Sequence, residues 1–97
     1  MTNNLNIRYA DKSDVPIIFS LIKKLAEYEK LSDKVITTEE KLKGSIFGNE
    51  KFVEILIAEF DGKAVGYALF FKNYSTFLGK AGIYLEDLFV LPDYRGK

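Results

Sequence analysis

The chain has 97 residues with 14 basic and 14 acidic side chains, so its formal net charge at pH 7 is zero. This balance gives no indication of a nucleic-acid-binding surface, and a hydrophobic content of 47% argues against disorder. The sequence contains neither cysteine nor histidine, which excludes disulfides, cysteine nucleophiles, His-based triads and Cys/His metal sites. We therefore expect one domain without a metal, in which proton transfer uses carboxylates, tyrosines, lysines or water.

The N-terminus gives no targeting signal. Residues 1–4 lack a basic segment followed by an apolar stretch, and no apolar run in the sequence approaches the ~20 residues of a membrane span. The sequence therefore predicts a soluble, cytoplasmic protein with no membrane partner.

The first half of the chain predicts one strand and two helices. Residues 5–9 alternate between apolar and polar, which indicates a short strand. Ser13 or Asp14 is expected to cap a helix that ends near Lys30. Its apolar residues recur at helical spacing: Val15, Ile18, Ile22 and Leu25. Thr37 and Glu40 resemble a capping box, which predicts a second helix over residues 38–47.

The second half predicts three strands. Residues 52–60 and 63–74 are rich in β-branched and aromatic residues, and the Asp61-Gly62 pair between them is a strong hairpin signal. Gly66 indicates a bulge or a close backbone approach. We expect a loop over residues 73–82 and a last strand over residues 83–91. The order β-α-α-β-β-β predicts an α+β fold with a mostly antiparallel sheet.

Two adjacent carboxylates interrupt the last apolar strand. Glu86 and Asp87 lie between apolar triplets, where burying a carboxylate costs several kcal/mol unless it is paired or solvated. They indicate either functional carboxylates facing a wet cleft or ordinary surface and ion-paired groups. The pattern alone favours the second interpretation.

Three other segments allow a functional and an ordinary interpretation. Arg95-Gly96-Lys97 after a strand could begin a phosphate cradle, or form a surface turn. Glu27-Tyr28-Glu29 could form an acidic, aromatic wall for a cationic amine, or a solvated helix face. Residues 74–77 form a polar and aromatic segment that could face the same end of the sheet, or simply connect two strands.

Longer runs carry a resemblance to a known family. Residues 84–96 read YLEDLFVLPDYRG, residues 21–29 read LIKKLAEYE, residues 73–77 read NYSTF, and Ile7-Arg8 opens the first strand. Together these segments resemble the GCN5-related N-acetyltransferase (GNAT) superfamily, and within it the diamine (spermidine/spermine) N-acetyltransferase group. The resemblance covers nearly the whole chain, and it reverses the preference stated for Glu86.

The resemblance implies transfer of an acetyl group from acetyl-CoA to a primary amine in a ternary complex. Glu86 would accept the amine proton through water, and Tyr28, Glu29, Glu86 and Asp87 would line the amine pocket. The implied cofactor-binding residues are these: Leu88, Phe89 and Val90 for the pantetheine arm, and Arg95, Gly96 and Lys97 for the pyrophosphate. The resemblance also implies a homodimer.

The same resemblance implies that residues 1–97 are the N-terminal part of a single N-acetyltransferase domain that ends inside the pyrophosphate-binding loop. The family's further loop glycines, the helix they open and the tyrosine that protonates the thiolate would lie beyond Lys97. We expect a fragment of a longer product, or a partner that supplies the missing half. The alternatives are a non-catalytic acyl-CoA-binding or dimerising module and a protein-lysine or N-terminal acetyltransferase.

Overall fold

The computed structural model describes residues 4–49 and 51–95, which form a four-stranded antiparallel sheet and two helices. The strands lie in the order β1-β2-β3-β4. Their bounds are Leu5–Tyr9 (β1), Glu54–Phe60 (β2), Lys63–Ser75 (β3) and Lys80–Val90 (β4), and those of the helices are Val15–Tyr28 (α1) and Glu39–Phe47 (α2). The predicted order of elements and the α+β class are confirmed.

The two hairpins differ in how well the sequence predicts them. Asp61 and Gly62 both have positive φ, 53° and 82°, as a tight two-residue turn requires. The predicted loop over residues 73–82 is wrong, because Tyr74 pairs with Ala81 and only residues 76–79 connect β3 to β4. Hydrogen bonds from two backbone N–H groups to Ser75 close this connection. Because β2 begins at Glu54, opposite Phe70, the outer part of the β3–β4 hairpin has no third strand among the described residues.

The helix caps lie at or beside the predicted positions. At the start of a short 3-10 turn that leads into α1, Asp11 accepts the Ser13 N–H, and the Asp14 side chain accepts the Asp11 N–H in return. Asp14 occupies the N-cap position of α1 without a side-chain cap bond. Thr38, rather than Thr37, caps α2, where its hydroxyl accepts a 3.2 Å bond from the Lys41 N–H. Each error is small, because several adjacent residues could serve as caps.

Helix α1 ends two residues before the predicted position, in a Schellman motif. The Lys30 N–H donates to the Glu27 carbonyl and the Leu31 N–H donates to the Ala26 carbonyl. Lys30 adopts the left-handed conformation with φ of 59°, a position usually held by glycine. This ending fixes the place where Tyr28 and Glu29 leave the helix.

The core lies between the two helices and one face of the sheet. Its buried members come from both helices and three strands: Ile18, Leu21, Ile46, Ile55, Ile57, Tyr67, Leu69 and Phe89. The opposite face of the sheet carries large apolar side chains that are at least half exposed: Leu5, Ile7, Tyr9, Leu85 and Leu88. The described residues therefore cover one face of the sheet and leave the other open.

An ion cluster joins β1, β2 and the start of α1. The Arg8 guanidinium donates to both carboxylate oxygens of Asp14, at 2.7 and 2.9 Å, and to Glu59 at 3.1 Å. Asp14 is 3% exposed and also accepts the backbone N–H of Asp11 at 2.8 Å. These bonds satisfy the buried carboxylate, which is the condition under which a buried charge is tolerated.

Gly66 lies where the backbone of β3 closely approaches that of β4. The register of β2 and β3 shifts beside it, because Ala58 pairs with Gly66 whereas Glu59 pairs with Ala64, and this leaves Val65 as a bulge. A Cβ at Gly66 would lie 2.6 Å from the Phe89 carbonyl oxygen in β4. The bulge and the close backbone approach predicted at Gly66 are both confirmed.

We expect Gly66→Ala to destabilise the full-length protein by about 1–3 kcal/mol, because the added methyl can be accommodated only if the backbone of β4 moves. Gly44→Ala is the matched control, since a Cβ at Gly44 in α2 has nothing within 4 Å. There alanine should stabilise the helix by up to about 1 kcal/mol. Urea unfolding midpoints measure both changes. A Gly66→Ala protein as stable as wild type would contradict the close approach.

The structure contains no helix that could span a membrane in residues 4–49 and 51–95.

Candidate active site

Glu86 lies at a β-bulge in β4. Leu85 pairs with Phe70 and Asp87 pairs with Leu69, so Glu86 has no partner residue in β3. A bulge interrupts the alternation of side chains and can redirect one of them, and such features are frequent beside active sites. The Glu86 side chain is exposed, and no ion pair or hydrogen bond holds its carboxylate among residues 4–49 and 51–95.

Asp87 is half-buried, and a tyrosine holds it. The Tyr67 hydroxyl donates to an Asp87 carboxylate oxygen at 3.0 Å. Asp87 lies opposite Leu69, on the side of the sheet that faces the helices. The ordinary interpretation of this pair allowed either exposure to solvent or a salt bridge. Glu86 is exposed, and neither residue forms a salt bridge within the described ranges.

Tyr67 is a site residue that the sequence analysis missed. Its ring belongs to the core and is 2% exposed. Burial raises the pKa of its hydroxyl far above the usual 10, and the negative charges of Asp87 and then Glu29 add to the shift. The available signal was a tyrosine within the apolar run 65–69, since a buried tyrosine hydroxyl usually finds a hydrogen-bond partner. Its partner depends on strand register and so could not be identified from local pattern.

The end of α1 and the end of β4 meet at an aromatic contact. The rings of Tyr28 and Phe89 lie 6.3 Å apart, and the Arg95 guanidinium stacks 4.6 Å from the Tyr28 ring. Arg95 also donates a 2.8 Å hydrogen bond to the Val90 carbonyl. A predicted amine-side residue, Tyr28, thus touches a predicted cofactor-side residue, Arg95. Tyr28 was predicted to contact a cationic substrate amine. In this structure the cation that stacks on its ring is the Arg95 guanidinium.

The free edge of β4 presents backbone groups from alternate residues. The Leu91 N–H donates to Val65 in β3, and the Phe89 carbonyl lies against Gly66, also in β3. Because backbone groups of a strand alternate between its two edges, those of Leu88 and Val90 face away from β3. The bond from Arg95 to the Val90 carbonyl agrees with this. Of the three predicted pantetheine-binding residues, Leu88 and Val90 have backbone groups at the open edge, and Phe89 contributes its side chain to the core.

Some predicted site residues lie elsewhere. Gly96 and Lys97 are outside the described residues. Residues 74–77 form the outer end of the β3–β4 hairpin, where Phe77 is 99% exposed, and do not line the cleft at the end of α1. That cleft is bounded by helix and strand residues: Lys24, Glu27, Tyr28, Phe89, Leu91 and Pro92. No cluster of three or more acidic, histidine or cysteine side chains suited to a metal occurs in the part of the chain that the structure describes.

Comparison with protein families decides the assignment. The model of the acetyltransferase (GNAT) family matches residues 18–97. The chain belongs to the GNAT acetyltransferase family. This GNAT chain is 46% identical to a thialysine N-epsilon-acetyltransferase of Bos taurus over 94% of its length. It is 37% identical to spermidine/spermine N(1)-acetyltransferase-like protein 1 of Homo sapiens over 93% of its length.

The GNAT chain spans only part of these relatives, 58% of the bovine protein and 14% of the human one. Solved structures agree on the fold. An aminoglycoside N-acetyltransferase in complex with CoA superposes with a TM-score of 0.71 at 22% identity. That match covers 100% of this chain and 62% of the other.

Proposed function

We propose that the protein containing this chain transfers the acetyl group of acetyl-CoA to a primary amine of a small cationic substrate, such as a polyamine, a diamine or a lysine-like amine. The observation that carries the proposal is the position of Glu86, an exposed carboxylate on a bulge two residues before the open edge at Leu88. The names of the relatives, which refer to thialysine and to spermidine or spermine, support the substrate class.

The chemistry requires a proton acceptor. An alkylammonium with a pKa of about 10 is almost fully protonated at pH 7 and cannot attack a thioester. Glu86 first attracts the cation and then accepts its proton, directly or through a water molecule. Asp87 adds a second negative charge next to it, and Glu29 at the end of α1 contributes a third on the helix side. These groups bind and orient the amine and make its nitrogen a nucleophile.

The open edge of β4 fits the cosubstrate. When bound, acetyl-CoA supplies a thioester whose carbonyl carbon accepts the amine nitrogen, with coenzyme A leaving as the thiol. The backbone groups of Leu88 and Val90 would hold the amide-bearing pantetheine arm in the manner of an added strand. Arg95 would meet the phosphates together with Gly96 and Lys97. Its bond to Val90 and its contact with Tyr28 place its charge at this end of the strand.

A homodimer in the cytoplasm belongs to the same proposal. The homodimer rests on the family resemblance, and the absence of cysteine is compatible with a reducing compartment.

An amine panel with the full-length protein tests the proposed function. We expect thiol release from acetyl-CoA with spermidine, a simple diamine, thialysine or lysine. A peptide bearing a lysine or a free N-terminus should give little release, because the acidic groups at Glu29, Glu86 and Asp87 favour small cations. Release with the peptide alone would indicate a protein acetyltransferase instead. Binding of acetyl-CoA without release to any acceptor would indicate a non-catalytic module.

A further inference from the structure

We propose that Tyr67 is a positioning residue for the acceptor amine: its hydroxyl fixes the Asp87 carboxylate so that one oxygen remains free to receive the substrate's ammonium group. The inference rests on the proposed function, which it deepens by adding a residue of β3 that does not itself touch the substrate.

The first argument is geometric. The Tyr67 ring is locked in the core at 2% exposure, and its register partners are Ile57 in β2 and Phe89 in β4. The hydroxyl therefore has little freedom, and its 3.0 Å bond to Oδ2 restricts the rotation of the Asp87 side chain. A carboxylate has two oxygens and about four acceptor positions, so one neutral donor leaves the other oxygen available.

The second argument concerns charge. The salt bridges among residues 4–49 and 51–95 use Arg8 and Lys51, and none of them involves Asp87. A phenol holds the carboxylate in place without neutralising it, whereas an arginine would compete directly with a cationic substrate. The hydroxyl proton of Tyr67 points to the Asp87 carboxylate, and burial, which raises the pKa of Tyr67, keeps that proton in place.

The third argument concerns the charged groups around Asp87. The Tyr28 ring at the end of α1 lies 6.3 Å from the ring of Phe89, which is two residues after Asp87 and faces the same side of the sheet. Glu29 follows Tyr28, and its charge contributes to the raised pKa of Tyr67. The free oxygen of Asp87 thus lies in a negatively charged environment next to Glu86. A phenylalanine at position 67 would fill the same core space and would leave Asp87 free to rotate.

Steady-state kinetics and calorimetry of the full-length protein, with spermidine as the probe, test the role. Tyr67→Phe is expected to raise the KM for spermidine roughly tenfold, the size expected for losing a hydrogen bond to a charged group. The kcat and the KM for acetyl-CoA should change less than about twofold, and the Kd for spermidine should rise by the same factor as KM. Tyr84→Phe is the matched control, because the Tyr84 ring stacks on Phe71 and its hydroxyl has no hydrogen bond within the described residues.

A double variant separates positioning from a general structural effect. In an Asp87→Asn background, Tyr67→Phe should have no further effect on the Kd, because both changes remove the same oriented carboxylate. An unchanged Kd in Tyr67→Phe, or an equal loss in both backgrounds, would overturn the inference. If wild-type protein binds spermidine but releases no thiol with any amine of the panel, the proposed function fails, while the binding comparison still decides the role of Tyr67. Failure of wild type to bind any amine would refute both.

Discussion

Glu86→Gln in the full-length protein is expected to lower kcat for a polyamine by about 100- to 10,000-fold, the contribution that a positioned general base makes. Glutamine keeps the size of the side chain and its place on the bulge but cannot accept the ammonium proton. The KM for acetyl-CoA should stay unchanged, since the Leu88 and Val90 edge is intact. Thiol release under saturating acetyl-CoA measures the effect.

The pH dependence sharpens this prediction. As pH rises from 7 towards 10, a growing fraction of the amine is already deprotonated and needs no base. The ratio of the wild-type kcat to the Glu86→Gln kcat should therefore decrease as the pH rises. Glu40→Gln is the matched control, because it removes an exposed carboxylate from the first turn of α2, and its rate should stay within about twofold of wild type. Equal rates for wild type and Glu86→Gln at pH 7 would exclude Glu86 as the base.

Asp14→Asn is expected to have the largest effect on stability, a loss of about 2–4 kcal/mol from a typical total of about 5–15. The change removes the charge that Arg8 binds with two hydrogen bonds, and it turns an amide N–H₂ towards the guanidinium. Breaking a fully buried pair costs about 3–5 kcal/mol, and the partial exposure of Arg8 lowers that figure. Asp33→Asn, at an exposed aspartate in a 3-10 turn, should change stability by less than about 0.5 kcal/mol.

Lowering the pH should reduce the difference in the free energy of unfolding between wild type and Asp14→Asn. The hydrogen bonds from Arg8 lower the pKa of the Asp14 carboxyl below its usual 3.8, and the bond from the Asp11 backbone adds to this. A carboxyl whose pKa is lower in the folded state stabilises the protein fully above its unfolded value, and this contribution is lost as pH falls through the folded value. Urea midpoints should therefore converge below about pH 4. A constant difference between pH 7 and pH 3 would show that the charge of Asp14 is not the cause.

Local chemistry made much of the fold predictable. The Asp61-Gly62 turn, the helical spacing of Val15 and Ile18 and the bulge beside Gly66 depend on neighbouring residues, and the sequence contains that information. The prediction of a loop over residues 73–82 was wrong because these residues, with two glycines and several polar groups, look like a turn. They form strands because residues 73–75 of β3 pair with residues 80–82 of β4.

Part of the candidate site could be predicted from the sequence, and there is a physical reason why the rest could not. The resemblance implied that Tyr28, Glu29, Glu86 and Asp87 line one amine pocket, which stays a prediction. Neither the resemblance nor the local pattern could indicate that Arg95 lies on the ring of Tyr28, or that Tyr67 holds Asp87. Such contacts join residues distant in sequence, and they depend on strand register and on where α1 ends.

Glu86 lies at the boundary between the part of the β3–β4 hairpin that is paired with β2 and the part that extends beyond β2. Inward of the bulge, β3 is paired on both sides and its residues from Val65 to Leu69 are largely buried. Beyond Phe70, most residues are exposed and the two strands have no third strand beside them among the described residues, although Phe71 stacks on Phe52. A two-stranded hairpin is marginally stable by itself. Opening of the backbone should therefore require less free energy in the outer half of β4 than in the inner half. We therefore expect the backbone beside Glu86 to be held more firmly on its Asp87 side than on its Leu85 side. If Glu86 is the proton acceptor that we propose, its carboxylate would have room to move while the backbone of residues 87–90 keeps its place.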